Sequence, residues 1–125
     1  MIKTSRTILV VEDEIRMLNI LERCLSKCGY TVLLASDGEA AMNVYLRQKE
    51  KIDVVLLDIE LPKIDGWNLL SKMKAANPDV KVVVTSGFLD SQLELRLLNA
   101  GAKRAIQKPY QIEEMANALQ EVIDS

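Results

Sequence analysis

The sequence predicts an α/β fold with a parallel β-sheet, and two observations support this prediction. Five short apolar runs alternate with five segments whose apolar residues recur at helical spacing. Strict alternation of strands and helices is typical of parallel strands joined by right-handed crossovers. The 125 residues contain no repeat, no low-complexity segment and no linker-like stretch, so we expect residues 1–125 to form a single domain.

The strands are predicted from short runs of Val, Ile and Leu that are bounded by polar or turn-forming residues. The run Val54-Val55-Leu56-Leu57 has no polar position, which is typical of a strand buried on both faces of a parallel sheet. The run before Lys108 is the weakest of the five. In chain order, the predicted strands are Thr7–Val11, Thr31–Ala35, Ile52–Leu57, Val80–Val84 and Ala102–Gln107.

The helices are predicted from apolar spacing together with residues that start or stop a helix. The first closes at Gly29, a residue type that favours the C-terminal cap. Ser36-Asp37-Gly38-Glu39 resembles a capping box and opens the second helix. Pro78 ends the third helix, because proline cannot continue it. In chain order, the predicted helices cover about Glu14–Gly29, Ser36–Lys49, Trp67–Pro78, Asp90–Asn99 and Ile112–Ile123.

Composition excludes several classes of protein. The net charge is −2, so no basic surface indicates direct nucleic-acid binding. The apolar runs are strand-sized, so we expect no membrane span in this segment. The N-terminus lacks the apolar core of a signal peptide, and we therefore expect a cytoplasmic protein.

The two cysteines, Cys24 and Cys28, lie one helical turn apart on a predicted apolar stripe. We predict that both are buried and reduced, as free cysteines in core positions usually are. A metal site would need further cysteine or histidine ligands, and the chain has no histidine. The absence of histidine also means that the chain cannot supply its own phosphohistidine.

Chemically distinctive side chains follow the predicted strands. Glu12 and Asp13 follow the first strand, Asp58 the third and Lys108 the fifth. In open parallel α/β sheets, ligands bind at the carboxyl ends of the strands, where the strand order reverses. If the first and third strands are neighbours at that point, the three carboxylates converge.

Three clustered carboxylates repel one another and need a cation. Carboxylate oxygens are hard ligands, so Mg²⁺ is the natural occupant, and Mg²⁺ and Lys108 together balance the three negative charges. Such a site can accept a phosphoryl group, which suggests nucleophilic attack by Asp58 on phosphorus to give an aspartyl phosphate. Thr85 and Ser86 both offer a hydroxyl donor, and the small Gly87 and the spacing to Lys108 favour Ser86.

Each of these residues also has an ordinary structural interpretation. Glu12 and Asp13 could simply begin a helix, whose dipole favours acids at that end. Asp58 could cap the loop that follows it, and Lys108 could belong to an ordinary turn before Pro109. The site interpretation is favoured because all of these residues follow strands.

The chain resembles the receiver domain of the two-component response-regulator superfamily, either as a stand-alone receiver or as the receiver of a hybrid histidine kinase. The resemblance covers essentially the whole chain. The motifs that carry it are Ile8-Leu9-Val10-Val11-Glu12-Asp13-Glu14, Asp58-Ile59-Glu60-Leu61-Pro62, Asp65-Gly66, Thr85-Ser86-Gly87 and Lys108-Pro109.

The resemblance implies the sheet order 2-1-3-4-5 with five flanking helices. It also implies a signalling function: a phosphoryl group passes from a phosphohistidine on a histidine kinase or a histidine phosphotransfer domain to this chain. The chain would then catalyse only its own phosphorylation and slow dephosphorylation. The phosphorylated form would bind its partner or output differently. Because the sequence ends soon after the last predicted helix, we expect no effector domain.

The resemblance also implies individual roles. Asp58 is the phosphoacceptor, and Ser86 and Lys108 contact the phosphoryl oxygens. Mg²⁺ is bound directly by Asp13, by Asp58 and by the backbone carbonyl of Glu60, while Glu12 acts through water.

The chain departs from the family at Ala105, where an aromatic residue often stands three positions before the lysine. Ala105 has no rotamer to flip, and Tyr110 lies on a different element. We therefore predict that the response to phosphorylation is confined mainly to the Ser86–Leu89 loop and the following helix, with little change in the fifth strand.

Two other functions are weighed against this one. A constitutive binding module would dock partners without phosphorylation, but it would not need the acidic set together with Asp58, Ser86 and Lys108. A metal-dependent phosphatase that forms an aspartyl phosphate would need a second acid as general acid, and Glu60 is the candidate.

Overall fold

The computed structural model describes residues 5–61 and 65–125. Within them, the strands are β1 (Thr7–Val11), β2 (Thr31–Ala35), β3 (Val54–Asp58), β4 (Val82–Ser86) and β5 (Arg104–Gln107). They form one parallel sheet in the order β2-β1-β3-β4-β5. The predicted α/β class and the strand order implied by the resemblance are confirmed.

The described residues contain five helices, of which the first four connect the strands and the fifth follows β5. They are α1 (Ile15–Lys27), α2 (Gly38–Gln48), α3 (Gly66–Ala76), α4 (Ser91–Asn99) and α5 (Ile112–Asp124). No helix within residues 5–61 and 65–125 has both the length and the apolar character that a bilayer crossing requires.

The core consists of two layers, one on each face of the sheet. Because side chains alternate along a strand, Ile8 and Val10 face one layer while Leu9 and Val11 face the other. The first layer packs against α1 and α5, and the second against α2, α3 and α4. All of β3 is buried, as its apolar sequence predicts.

The strands β3 and β4 extend further toward their carboxyl ends than the apolar runs predict. β3 begins at Val54 and ends at Asp58, and β4 ends at Ser86 instead of Val84. Asp58 pairs with Thr85 across the two strands. The apolar run marks burial, whereas the hydrogen-bond ladder continues through polar residues as long as the neighbouring strand does. The ladder therefore fixes the backbone of Asp58 and Ser86.

Three helices begin at an aspartate whose carboxylate accepts a backbone N–H bond from the first turn. In α2 this residue is Asp37, which accepts a bond of 2.7 Å from Ala40 N. The capping box predicted from Ser36 is thus displaced by one residue, because the Asp37 carboxylate reaches the third amide of the helix. Asp65 and Asp90 act in the same way on α3 and α4.

The prediction of two buried cysteines is wrong for Cys28. Both cysteines are free, Cys24 is half-buried and Cys28 is exposed. The buried stripe of α1 consists of Leu18, Leu21 and Leu25. Cys28 lies beyond the last turn, where Gly29 adopts a positive φ of 97° and the chain leaves the helix.

Gly66 closes the loop that follows β3 by a close approach between two backbone segments. Its N–H donates to the Ile59 carbonyl at 3.2 Å. A Cβ at this position would lie 2.5 Å from the Ile59 Cα, so only glycine fits. Pro62, one of the residues that carry the resemblance, lies outside the described residues.

Candidate functional site

An acidic cluster lies at the carboxyl ends of the two central strands. β1 and β3 are neighbours, with Val11 paired to Leu57, so the residues that follow them are adjacent. One carboxylate oxygen from each of Glu12, Asp13 and Asp58 lies within 4.8 Å of the other two. Glu12 and Asp58 are buried, with 3% and 4% of their surface exposed, while Asp13 is exposed. The predicted convergence of these three carboxylates is thus observed in the structure.

The Asp58 carboxylate is held by two donors. Its Oδ1 accepts a bond of 3.0 Å from the Glu60 backbone N–H. Its Oδ2 accepts a bond of 3.0 Å from Lys108 Nζ. Because Asp58 is also the last residue of a buried strand, the position of its carboxylate is defined from both the backbone and the side chain.

Lys108 joins the end of β5 to the two central strands. Its Nζ donates to Glu12 Oε1 at 2.9 Å as well as to Asp58, and its backbone N–H donates to the Ser86 carbonyl at 2.8 Å. Burial opposes the charge of Lys108, but the hydrogen bonds and negative charges of Glu12 and Asp58 outweigh it and raise the pKa of the ammonium above its usual value. Lys108 is therefore a permanent cation in this site.

The environment of Glu12 is unfavourable to its charge. Burial raises the pKa of the Glu12 carboxyl, and the hydrogen bond from Lys108 only partly offsets that effect. The same acidic surroundings act on Tyr110, where burial and then the charge of Glu12 raise the pKa of the phenol to about 12. Both shifts have the same sense, since burial disfavours the charged form of each group.

The structure brings the Ser86 hydroxyl to the loop that follows Asp58. Ser86 is the last residue of β4 and only 1% of its surface is exposed. Its Oγ donates to the Glu60 carboxylate and accepts a bond of 3.0 Å from the Phe88 N–H. Thr85 is buried one position earlier and pairs with Asp58 across the two strands. The predicted preference for Ser86 over Thr85 stays a prediction.

Two side chains near the site, those of Glu60 and Gln107, form hydrogen bonds to the loop after β4 that were not predicted from the sequence. The resemblance gave Glu60 a role only through its backbone carbonyl, but its carboxylate also accepts the Gly87 N–H at 2.9 Å. Gln107 Oε1 accepts the Leu89 N–H at 2.7 Å, and its Nε2 donates to the Gly87 carbonyl at 3.0 Å and to the Lys108 carbonyl. The one sequence signal for Gln107 is a polar residue directly before Lys108 at the end of a strand.

The donor set fits a divalent cation. Among residues 5–61 and 65–125, Glu12, Asp13 and Asp58 form the one group of three metal-ligating side chains whose ligand atoms converge. Lys108 compensates one of their three negative charges, which leaves the charge of a divalent ion to be matched. The ligand atoms of this group are carboxylate oxygens, the type that Mg²⁺ and Ca²⁺ prefer.

Comparison with known proteins adds a family to this geometry. A family profile described as the response regulator receiver domain matches residues 8–120. The probable transcriptional regulator ycf27 of Guillardia theta is 34% identical over 98% of this chain and 47% of its own length. The sensor kinase CckA of Brucella abortus (strain 2308) is 32% identical over 96% of this chain and 13% of its own length. The chain thus spans less than half the length of these two curated relatives.

A solved structure supports the same conclusion. A chain of the CheX–CheY–BeF₃–Mg²⁺ complex from Borrelia burgdorferi is 29% identical, with a TM-score of 0.91 over 95% of this chain and 90% of that chain. The family profile matches most of the sequence, and the structure has three features that accompany this match. They are the sheet order, the acidic cluster at the ends of β1 and β3, and the lysine after β5. The chain therefore belongs to the response regulator receiver domain family, a signalling domain of two-component systems.

Proposed function

We propose that the chain is a phosphoacceptor, in which Asp58 takes a phosphoryl group from a phosphohistidine of a histidine kinase or histidine phosphotransfer domain. The observation that carries the proposal is the Asp58 carboxylate, which is buried beside two further acids and is hydrogen-bonded to Lys108 at 3.0 Å. A buried, fixed carboxylate next to a permanent cation is suited to attack phosphorus and to retain the product. Because phosphohistidine is made from ATP, we further propose that the encounter occurs in the cytoplasm.

In the proposed reaction, an oxygen of Asp58 forms a bond to phosphorus while the N–P bond of the phosphohistidine breaks. The electron pair of that bond stays on the imidazole nitrogen of the donor, which leaves as histidine after taking a proton from solvent. Asp13, Asp58 and the Glu60 carbonyl would hold Mg²⁺, with Glu12 acting through water, and the ion would supply positive charge for the transferring oxygens.

The residues of the chain provide the remaining stabilisation. Lys108 Nζ already faces Asp58 and can donate to a phosphoryl oxygen, and the Ser86 hydroxyl is a second donor near the mouth of the site. The phosphoryl group forms stronger hydrogen bonds with these donors in one conformation of the β4–α4 loop than in another. This difference in binding free energy shifts the population toward the first conformation. Water then slowly removes the phosphoryl group.

The two alternative functions have less support. A metal-dependent phosphatase would require Glu60 as general acid, but both oxygens of its carboxylate accept hydrogen bonds, from Ser86 and from Gly87. A binding module that works without phosphorylation would gain nothing from two buried carboxylates around Lys108. We also propose that residues 1–125 act as one receiver domain.

The proposal is tested by incubating the chain with acetyl phosphate and Mg²⁺ and measuring its intact mass. We expect one phosphoryl adduct on the wild-type chain and none on Asp58→Asn. The matched control is Asp79→Asn, which removes an exposed aspartate away from the cluster and should leave the adduct unchanged. An adduct that persists in Asp58→Asn, or that forms equally in EDTA, would contradict the proposal.

A further inference from the structure

We infer that the Glu60 carboxylate acts as an internal anion before phosphorylation. It accepts hydrogen bonds from the same donors that a phosphoryl group on Asp58 would use. The inference rests on the proposed function and deepens it, because it assigns the Glu60 side chain a positioning role in the resting state. The phosphoryl group must then displace Glu60, so this residue sets how readily the site accepts and keeps its phosphoryl group.

The contacts of Glu60 resemble those of a bound anion. Its Oε2 accepts a hydrogen bond from the Ser86 hydroxyl, and its Oε1 accepts a hydrogen bond of 2.9 Å from the Gly87 N–H. Two consecutive residues thus present an O–H and an N–H to the two oxygens of one carboxylate. Hydroxyls and backbone amides at the end of a strand are common donors to phosphate and carboxylate oxygens alike.

The backbone of Glu60 connects this contact to the acceptor. Its N–H donates to Asp58 Oδ1 at 3.0 Å, so Glu60 reaches Asp58 with its backbone and the β4–α4 loop with its side chain. A phosphoryl group on Asp58 would bring three anionic oxygens into the space between them. The hydroxyl has a single proton, and the Gly87 amide has one as well, so neither group can fully serve both anions.

Displacement of Glu60 is feasible because its side chain is exposed. The carboxylate can turn toward water without a large change in solvation, whereas the buried Ser86 cannot leave its place at the end of β4. Glu60 also adds negative charge next to the acidic cluster. The hydrogen bonds that Glu60 accepts and its negative charge both favour the unphosphorylated state until the carboxylate moves away.

The experiment compares Glu60→Ala with Glu14→Ala, using beryllofluoride with Mg²⁺ as the phosphoryl mimic. Glu14 is an exposed acid beside the cluster whose side chain makes no capping bond, so its removal controls for a simple loss of charge. We expect Glu60→Ala to bind beryllofluoride at least about five- to tenfold more tightly than wild type, because the loss of one competing hydrogen bond would give that change and Glu60 accepts two. Glu14→Ala should change the affinity much less.

Two further readouts separate displacement from a merely structural role. Without any mimic, the Gly87 amide should exchange its proton faster in Glu60→Ala, because it has lost its acceptor, and should be unchanged in Glu14→Ala. In a Ser86→Ala background, the gain in affinity from Glu60→Ala should shrink, because only the Gly87 donor remains to be released.

The outcomes distinguish this inference from the proposed function. The role of Glu60 is overturned if wild type and Glu60→Ala bind beryllofluoride with equal affinity, or if Glu14→Ala gains as much affinity as Glu60→Ala. It is also overturned if the Gly87 exchange rate is the same in wild type and Glu60→Ala. Each of these results leaves Asp58 as the acceptor. If wild type and Glu60→Ala both fail to bind beryllofluoride, the proposed function fails and the role of Glu60 fails with it.

Discussion

Lys108 compensates two buried carboxylates with a single ammonium group. Its Nζ lies 2.9 Å from Glu12 Oε1 and 3.0 Å from Asp58 Oδ2, and a quarter of its side chain is exposed. Removing one member of such a group leaves the others buried without a partner, which usually costs more than the intact interaction contributes. The residue thus stabilises the folded chain as well as serving the proposed chemistry.

We predict that, without metal, Lys108→Gln lowers the free energy of unfolding by on the order of 2 kcal/mol. This is less than for a fully buried ion pair, because solvent screens the partly exposed ammonium. Mg²⁺ should restore part of this loss, because the cation and the ammonium compensate the same carboxylates. Urea unfolding with EDTA and with Mg²⁺ measures both effects. The control is Lys103→Gln at an exposed lysine of the chain, and an equal loss of stability in the two variants would contradict the prediction.

Asp13 is the exposed member of the acidic cluster, and one of its oxygens lies within 4.8 Å of an oxygen of Glu12 and of Asp58. We predict that Asp13→Asn raises the metal-free thermal midpoint by relieving repulsion. In wild type, Mg²⁺ at about ten times its Kd should raise the midpoint by about 4–6 °C, because the ion binds only the native cluster.

Asp13→Asn should remove most of that Mg²⁺-dependent rise. Thermal scans of both chains in EDTA and in Mg²⁺ give the four midpoints needed, and Asp79→Asn again serves as the control at an exposed aspartate outside the cluster. A lower metal-free midpoint in Asp13→Asn would show that repulsion among the carboxylates does not limit stability.

At the scale of elements, the β4–α4 loop is held by side chains from both flanks. Glu60 from the loop after β3 binds Ser86 and Gly87, and Gln107 at the end of β5 binds Gly87 and Leu89. The prediction that strand five changes little on phosphorylation is untested. If the β4–α4 loop moves on phosphorylation, we expect the movement to reach β5 only at Gln107. This is the β5 residue whose side chain is hydrogen-bonded to the loop.

We predict that beryllofluoride shifts the NMR signals of the Gln107 side-chain amide together with those of Gly87 and Leu89, while the backbone signals of Ala105 change little. In Gln107→Met, which keeps the length but loses the hydrogen bonds, the Leu89 amide should exchange faster in the resting chain. Gln111→Met is the control, since the Gln111 side chain makes no capping bond to α5. Large shifts throughout Arg104–Ile106 would show that the whole strand carries the response.

Most elements could be predicted because alternating apolar runs and helix-stop residues are local signals. Their ends could not be predicted as well, because the hydrogen-bond ladder carries β3 through Asp58 and β4 through Ser86. The same contrast holds at the site. The three carboxylates and Lys108 follow strands and could be expected to converge, whereas the contacts of the Glu60 and Gln107 side chains depend on how separate loops lie next to one another.

At the scale of the whole molecule, the site is built from distant parts of one chain. The Lys108–Glu12 bond joins residues 96 positions apart, and the Lys108–Asp58 bond joins residues 50 positions apart. The strand that precedes Lys108, β5, pairs only with β4, which pairs with β3, so the contacts of Lys108 extend across the carboxyl end of β4 to the acids that end β3 and follow β1.

We predict from this long-range construction that the site is completed late in folding. Bringing the two ends of so long a loop together costs chain entropy, and contacts of large sequence separation form slowly. A chain whose last strand has not yet docked has the three carboxylates but lacks their ammonium partner, so it offers a poor acceptor. The time at which newly refolded chains become able to take up beryllofluoride would therefore mark the docking of the final strand, and a partly folded chain would transmit no signal.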